Sequence, residues 1–291
     1  MTQNEINLNR DRQYELALAW REKDGQPDLQ GFDLRGRDLT LVDLAGANLT
    51  GADLNGARLA GANLAGARLD KANLNGAMLE DANLERAQLA QAILVGANLH
   101  QAALIQANLM GADLRLAQLP EAMLLGANLT NADLRAADLR QASLKGVTLS
   151  GANLAGAVLV ETVLAGANLE GAKNLSGANL KQANLSRAVL VKLNLAGAYL
   201  GEAFMAEAEM SQINLGGAFL GKAKFNRANL ARANLAGAFL GEAVLIGANL
   251  AGAVLRGANL AGANLFEADL TGANLDGADL TGATMPDGRK Q

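Results

Sequence analysis

The stretch ANLAGANL (Ala258–Leu265) contains the five-residue pattern from which the fold follows. A close variant, ADLNGARL, occupies Ala52–Leu59. If the Leu of each unit is taken as its centre, centres recur at every fifth residue from Leu29 to Leu169 and again from Leu175 to Met285. One inserted residue within 171–175 separates the two series. Almost the whole chain is therefore one short pattern in repetition.

The spacing of apolar residues within a unit predicts a short extended segment followed by a turn. Of the 52 centres 48 are Leu, and the residue before the centre is Asn or Asp in 30 units. Ala and Leu separated by one polar residue give the alternation of a β-strand, with both facing one side. Two residues separate the Leu from the next Ala, which breaks the alternation, so the chain must turn there, and the frequent Gly suits a turn. A period of five cannot stay on one face of an α-helix.

Three segments with outward aromatic residues show how many sides close one coil. AGAYLGEAFM, GGAFLGKAKF and AGAFLGEAVL begin at residues 196, 216 and 236, which is a spacing of 20. Four five-residue sides therefore make one coil, and residues 27–287 hold about 13 coils. With about 4.8 Å between stacked strands, the coils form a rod roughly 62 Å long. The sequence predicts an all-β solenoid with Leu and Ala filling its interior.

The repeats resemble the A-(D/N)-L-x-x pattern of the pentapeptide-repeat family over residues 27–287. This resemblance implies a right-handed quadrilateral β-helix; its handedness and turn types come from the resemblance and not from the spacing. The closing TMPDG (Thr284–Gly288) is similar to that of members found in cyanobacteria.

The first 26 residues form a separate segment that we expect to contain a capping helix. The pattern predicts a helix over Asn9–Gly25, with Asn9 or Asp11 as N-cap and Pro27 beyond its end. It should cover the edge of the first coil, which would otherwise expose unpaired backbone groups. The apolar side chains expected to make this contact are Tyr14, Leu16, Leu18 and Trp20.

At the other end, a polar tail (288–291) follows the last coil. Two alternatives are open there: Pro286 and the charged tail protect the exposed strand edge, or two chains meet end to end through the C-terminal coil. A polar tail is a poor dimer interface, so a monomer is favoured.

Composition argues against catalysis and bound cofactors. The chain has no Cys and one His, so no thiolate metal site or histidine cluster is expected. That residue, His100, should point outward beside Glu80, without the convergent partners that a ligand or general base needs. Catalytic, cofactor-binding and metal-binding residues are therefore predicted to be absent. The sequence contains no signal-peptide pattern and no apolar run long enough for a membrane span, so a cytoplasmic protein is expected.

Outward aromatic residues are the best candidates for a functional site. Tyr199, Phe219 and Phe239 should share one column, where most units have Asn or Asp, and Phe204 and Lys224 should share the column on the next side. Such a ladder either stabilises the sheet by cross-strand stacking or forms a docking surface for a partner protein. A secondary candidate patch consists of Ile105, Met123 and Leu125.

The sequence thus favours a non-enzymatic scaffold that presents flat β-faces to an unidentified protein. One alternative, suggested by the family alone, is a mimic of duplex DNA that protects or inhibits DNA gyrase. Without the charged residues of 1–26 and of 289–290, 24 acidic and 19 basic residues remain, a net charge of −5. Duplex DNA carries about 36 charges over a length of about 62 Å. A further alternative is a structural spacer or self-assembling unit; direct binding to nucleic acid is not expected.

Overall fold

The computed structural model describes residues 3–19 and 28–291. They divide into two compact units at the boundary between Ala142 and Ser143. Within the described ranges the regular structure consists of one helix, α1 (Gln3–Ala19), and single-residue β-bridges between stacked coils. The helix belongs to the first unit.

In the first unit, parallel bridges join each residue before a centre to the residue 20 positions later, from Asp28↔Asn48 to Gln118↔Asp138. The amide of each central Leu donates to the next coil, as Leu29 N does to the carbonyl oxygen of Asn48 (2.7 Å). A spacing of 20 residues means that four five-residue sides make one coil, as the aromatic segments predict. Central Leu and preceding Ala side chains are buried throughout, and together they form the core.

The second unit follows the same rule, with parallel bridges from Ser143↔Val163 to Asn264↔Thr284. The insertion lengthens the spacing to 21 residues in bridges such as Val158↔Asn179. Asn174, within the insertion, has a φ of 61°, a conformation that Asn tolerates better than most residues. The extra residue thus lengthens the extended side between Ala172 and Leu175 and lies before the next turn. The central Leu residues on both sides of it stay buried, whereas Ala172 and Ala178 become half-buried.

Each corner is a four-residue turn that begins at the central Leu. The amide of Phe32, for example, donates to the carbonyl oxygen of Leu29 (3.1 Å), and Gly31, the third residue of this turn, has a φ of 67°. A positive φ at the third residue alone is the signature of a type II turn. Many turns have a non-glycine residue at this position, including Leu116 (φ 60°) and Ala136 (φ 55°).

The helix differs from the predicted one in its bounds and in its contacts. It begins at Gln3, so Asn9 and Asp11 lie inside it and neither is the N-cap. Leu16 and Leu18 remain 42% and 45% exposed, and Ala17 is the buried apolar residue. Hydrogen bonds of Arg10, Gln13 and Tyr14 join the helix to the first coil. Of the predicted features, Trp20, Gly25 and Pro27 lie outside the described residues.

Those polar contacts satisfy backbone groups at the edge of the first coil. The Tyr14 hydroxyl donates to the carbonyl oxygen of Asp38 (2.7 Å). The amide of Asp33 donates to Oε1 of Gln13 (2.8 Å). Arg10 donates to the carbonyl oxygen of Arg35 (2.8 Å). Because an exposed strand edge would otherwise leave these groups unpaired, the helix acts as a cap on the first coil.

At the other end of the second unit, the tail folds back along the last side. Lys290 forms an antiparallel bridge with Thr284. The amide of Gln291 donates to the carbonyl oxygen of Ala283 (3.0 Å), and the amide of Gly282 donates to that of Gln291 (3.1 Å). The tail therefore occupies part of the edge that an end-to-end dimer would use.

Candidate protein-interaction surface

The side chain of the residue before each centre normally makes one or two hydrogen bonds, and Asn214 makes both. Its Oδ1 accepts from the amide of Gly216 (3.1 Å), two residues later. Its Nδ2 donates to Oδ1 of Asn194 in the preceding coil (3.0 Å). Asn and Asp therefore recur at this position because they satisfy a turn amide, and Asn in addition links successive coils.

Tyr199, Phe219 and Phe239 interrupt this arrangement, and we call them the aromatic ladder. The ring centroids of Tyr199 and Phe219 are 4.9 Å apart, and those of Phe219 and Phe239 are 5.0 Å apart. The ring planes are nearly parallel, at 4° and 6°. Because each ring covers the face of the next, the ladder presents ring edges to solvent. All three side chains are nonetheless more than two-fifths exposed.

A row of glycines, the glycine strip, adjoins the aromatic ladder: Gly201, Gly221 and Gly241 each lie two residues after a ring. Their φ angles lie outside the left-handed region, so the backbone does not require glycine. A Cβ at each would meet only a backbone oxygen at 3.8 Å, so the rings do not require glycine either. Among the described residues their amides have no acceptor, because the aromatic residue has replaced Asn or Asp.

A charge ladder borders the glycine strip, and it consists of Glu202, Lys222 and Glu242. Lys222 Nζ lies 3.6 Å from Glu242 Oε2. Glu202 Oε2 accepts from Gln182 Nε2 (3.0 Å). The sign of the charge alternates from coil to coil. The second unit thus carries three parallel rows: aromatic edges, bare backbone and alternating charges.

The remaining aromatic candidate lies around the corner, on the next side of the coil. Phe204 is bridged to Lys224, and Nζ of Lys224 lies 4.4 Å from the ring centroid of Phe204. This is a cation–π contact, which is favourable even at exposed sites. Both line a depression of about 620 Å³, together with the side chains of Glu161, Gln182, Glu202 and Lys222.

Arg187 and Glu207 form an ion pair on the next row of that side, and this pair changes the pKa of the Glu207 carboxyl. Arg187 Nε donates to Glu207 Oε2 (2.9 Å). This hydrogen bond, with the attraction of the same guanidinium, lowers the pKa of the Glu207 carboxyl below its ordinary value. Glu207 is therefore ionised at neutral pH.

The secondary patch lies in the first unit and is less regular. Met123 and Leu125 are each 43% exposed, whereas Ile105 is half-buried. Met123 is bridged to Ala103, so its column contains one large side chain and one small one. Sequence reasoning overlooked Leu41 and Leu116, which are 77% and 60% exposed at positive-φ corners. An apolar residue at the Gly position of the repeat is the signal that identifies them.

His100 lies at the surface of the first unit near one carboxylate. Its Nε2 lies 4.0 Å from Glu121 Oε1. Glu80 instead accepts a hydrogen bond from Asn98 Nδ2 (2.6 Å). Across residues 3–19 and 28–291, no group of three or more His, Cys, Asp or Glu side chains is placed to hold a metal ion. Over the same residues, no helix is long and apolar enough to cross a membrane.

Comparison with known proteins identifies the repeat. The family model described as "Pentapeptide repeats (8 copies)" matches most of the chain. The matched segments are 28–60, 47–86, 57–94, 82–119, 112–151, 142–173, 174–205, 208–245 and 243–282. No curated protein matches the chain.

Several solved structures are similar to this chain. HetL, a pentapeptide repeat protein involved in heterocyst differentiation regulation from the cyanobacterium Nostoc sp. strain PCC 7120, is 32% identical over 100% of both chains, with a TM-score of 0.24. A pentapeptide repeat protein from the Arabidopsis thaliana thylakoid lumen is 29% identical over 35% of this chain and 71% of its own, with a TM-score of 0.35. Full-length QnrB1, a plasmid-mediated fluoroquinolone resistance protein, is 18% identical over 70% of this chain and 84% of its own, with a TM-score of 0.18.

Proposed function

The chain belongs to the pentapeptide-repeat family, and we propose that it is a non-enzymatic scaffold that binds a partner protein through its outward β-faces. The aromatic ladder and the glycine strip beside it form the binding surface. Phe204 and Lys224 extend this surface around the corner, and Ile105, Met123 and Leu125 form a secondary one.

The observation that carries this proposal is the bare backbone beside the rings. Stacking alone would account for Tyr199, Phe219 and Phe239, because aromatic pairs stabilise neighbouring strands. It does not account for Gly201, Gly221 and Gly241, which neither the backbone conformation nor the rings require. Exposed aromatic edges beside accessible amide donors offer a partner both apolar contact and hydrogen bonds.

Family membership supports the finer features of the fold. We propose a right-handed quadrilateral β-helix of about 13 coils over residues 27–287, preceded by a capping segment (1–26) and followed by a polar tail (288–291). We also propose that the protein is cytoplasmic, although the Arabidopsis relative comes from the thylakoid lumen.

A gyrase-directed DNA mimic is the second candidate, because the similar protein QnrB1 confers fluoroquinolone resistance. The charge of the repeat region opposes it: residues 27–288 have a net charge of −5, where a duplex of about 62 Å has about 36 negative charges. A supercoiling assay with and without quinolone separates the candidates. Full inhibition of gyrase at a low excess of protein would favour the mimic.

The experiment that tests the scaffold proposal is a paired capture from a lysate of the source organism. One bait is the wild-type protein, and the other carries Tyr199→Asn, Phe219→Asn and Phe239→Asn, which restores the usual residue of the repeat. Captured proteins are identified by mass spectrometry, and binding is then measured with the purified partner. We expect a partner that the folded variant does not retain. Equal capture by both baits, with a lower melting temperature for the variant, would make the ladder a stabilising feature alone.

A further inference from the structure

We propose that the partner of this surface is a second copy of the chain, paired face to face with the two copies antiparallel and offset by one coil. This inference rests on the proposed function, since it names the partner of the same surface.

The spacing of the surface is the first argument. Rings, amides and charges repeat once per coil, and the ring spacings are 4.9 and 5.0 Å. An extended peptide that runs along the column repeats its outward groups about every 6.6–6.8 Å, so it falls out of register after one or two coils. A second copy has the identical repeat and therefore stays in register along all three rows.

The charge ladder is complementary to itself when it is shifted by one coil. A two-fold axis along the strand direction places each row opposite the same row of the second copy. With no offset, Glu202 would face the second copy's Glu242, and Lys222 would face Lys222. With an offset of one coil, Glu202 faces the second copy's Lys222, and this pair occurs twice by symmetry. The alternation of sign therefore favours an offset of one coil over the unshifted pairing.

The other two rows fit the same pairing. Tyr199 lies opposite the second copy's Phe219, so apolar edges meet apolar edges. Glycine lies opposite glycine, so the two backbones approach closely, as small residues allow. Glu202 directly follows Gly201 in the chain, so each copy brings carboxylate acceptors to the border of the strip. These carboxylates are available to the unpaired amides of the other copy.

The size of the contact makes the pair weak. The aromatic ladder spans three coils, which is a small area compared with the roughly 800 Å² per partner of a standard stable interface. The dimer should therefore dissociate at low micromolar concentration and form at high local concentration, in agreement with the monomer expected in dilute solution.

Sedimentation equilibrium of the full-length protein tests this pairing from about 1 µM to about 1 mM, the range in which weak interfaces dissociate. We expect the mass of the wild type to rise from monomer toward dimer. Lys222→Glu should weaken association by about tenfold or more, because it replaces two attractions by two repulsions. Glu202→Lys combined with Lys222→Glu should restore it to within about threefold, since opposite charges again face each other.

Lys192→Glu is the matched control, because it makes the same change of charge at another exposed corner with nearly the same φ, 58° against 60° for Lys222. It should leave association unchanged, and melting curves of every variant verify that it folds. A monomer over the whole range overturns the inference. A wild-type dimer that Lys222→Glu does not weaken also overturns it. The same holds if the double variant fails to restore the association that Lys222→Glu has weakened. In each case the capture experiment still tests the scaffold proposal, because it detects binding of a different protein to the same surface.

Discussion

The ring of Tyr199 lies face to face with that of Phe219, with 4.9 Å between centroids and 4° between planes. This distance is set by the spacing of the coils, which is that of neighbouring β-strands. The stack therefore forms without distortion of the backbone. It also has a consequence for recognition: the ring faces inside the ladder are covered by neighbouring rings, so a partner contacts mainly ring edges.

The position of a ring in the ladder should determine its contribution to stability. Phe219 has two ring neighbours, whereas Tyr199 and Phe239 each have one. With about 0.5–1.5 kcal/mol for each aromatic pair, Phe219→Asn should lower the free energy of unfolding by about 1–3 kcal/mol, and either end variant by about half as much. Urea denaturation measures the differences. Equal losses of unfolding free energy in the three variants would show that contacts between the rings do not determine their contributions.

Two glycines in successive turns should respond in opposite ways to the same substitution. Gly217 has a φ of 64° with no neighbour near its Cβ position, so Gly217→Ala introduces backbone strain alone and should cost about 1 kcal/mol. Gly221 has no positive φ, so Gly221→Ala should be neutral or stabilise the fold by up to about 1 kcal/mol. Thermal denaturation of both variants checks this. Equal destabilisation would mean that Gly221 has a structural role.

The helix should protect one particular amide of the first coil. The amide of Asp33 donates to Gln13 Oε1, so Gln13→Ala should speed its hydrogen exchange by about tenfold. The amide of Leu34 donates to Asp53 of the next coil and should be unaffected. Exchange followed by NMR compares the two. If both accelerate together, the helix acts on the whole coil and not through this contact.

The ion pair of Arg187 with Glu207 should be visible in an acid titration. Because the pKa of Glu207 is lowered in the folded protein, the pair favours folding above the unfolded carboxyl pKa of about 4.3 and loses this contribution as the pH falls through the lower folded value. Arg187→Gln should move the pKa of Glu207 up toward its ordinary value in a carboxyl NMR titration. Arg256→Gln, which removes an exposed guanidinium elsewhere, is the control and should leave it unchanged.

The repeat made most of the fold predictable from sequence. The Ala-x-Leu alternation placed the central Leu residues of the core correctly except in the last coil, where Leu270, Leu275 and Leu280 are half-buried. The 20-residue recurrence of the three ladder rings predicted the pairing that the bridges show. The one-residue insertion was visible as a break in the period. The fold is predictable to this extent because every coil repeats the same burial of Ala and Leu and the same turns.

Features outside the repeat were less predictable. The helix start was wrong because Asn9 and Asp11 are good caps in isolation, whereas the observed helix extends to Gln3. Of its predicted contact residues, Tyr14 does reach the first coil, whereas Leu16 and Leu18 were wrong, because contact with a strand edge favours small and polar groups such as those of Ala17 and Gln13. The glycine strip was present in the sequence, but its meaning required the φ angles, since most glycines of the chain lie at corners that need positive φ.

The central claim is that the bare strip beside the rings is a binding surface, and one variant tests it without touching the rings. Gly201→Thr, Gly221→Thr and Gly241→Thr together fill the strip with a residue that the chain uses at the same repeat position, at Thr271 and Thr281. We expect this variant to melt no lower than the wild type and to lose at least about nine-tenths of its binding, both to a captured partner and to a second copy. Unchanged binding with the strip filled would contradict the account.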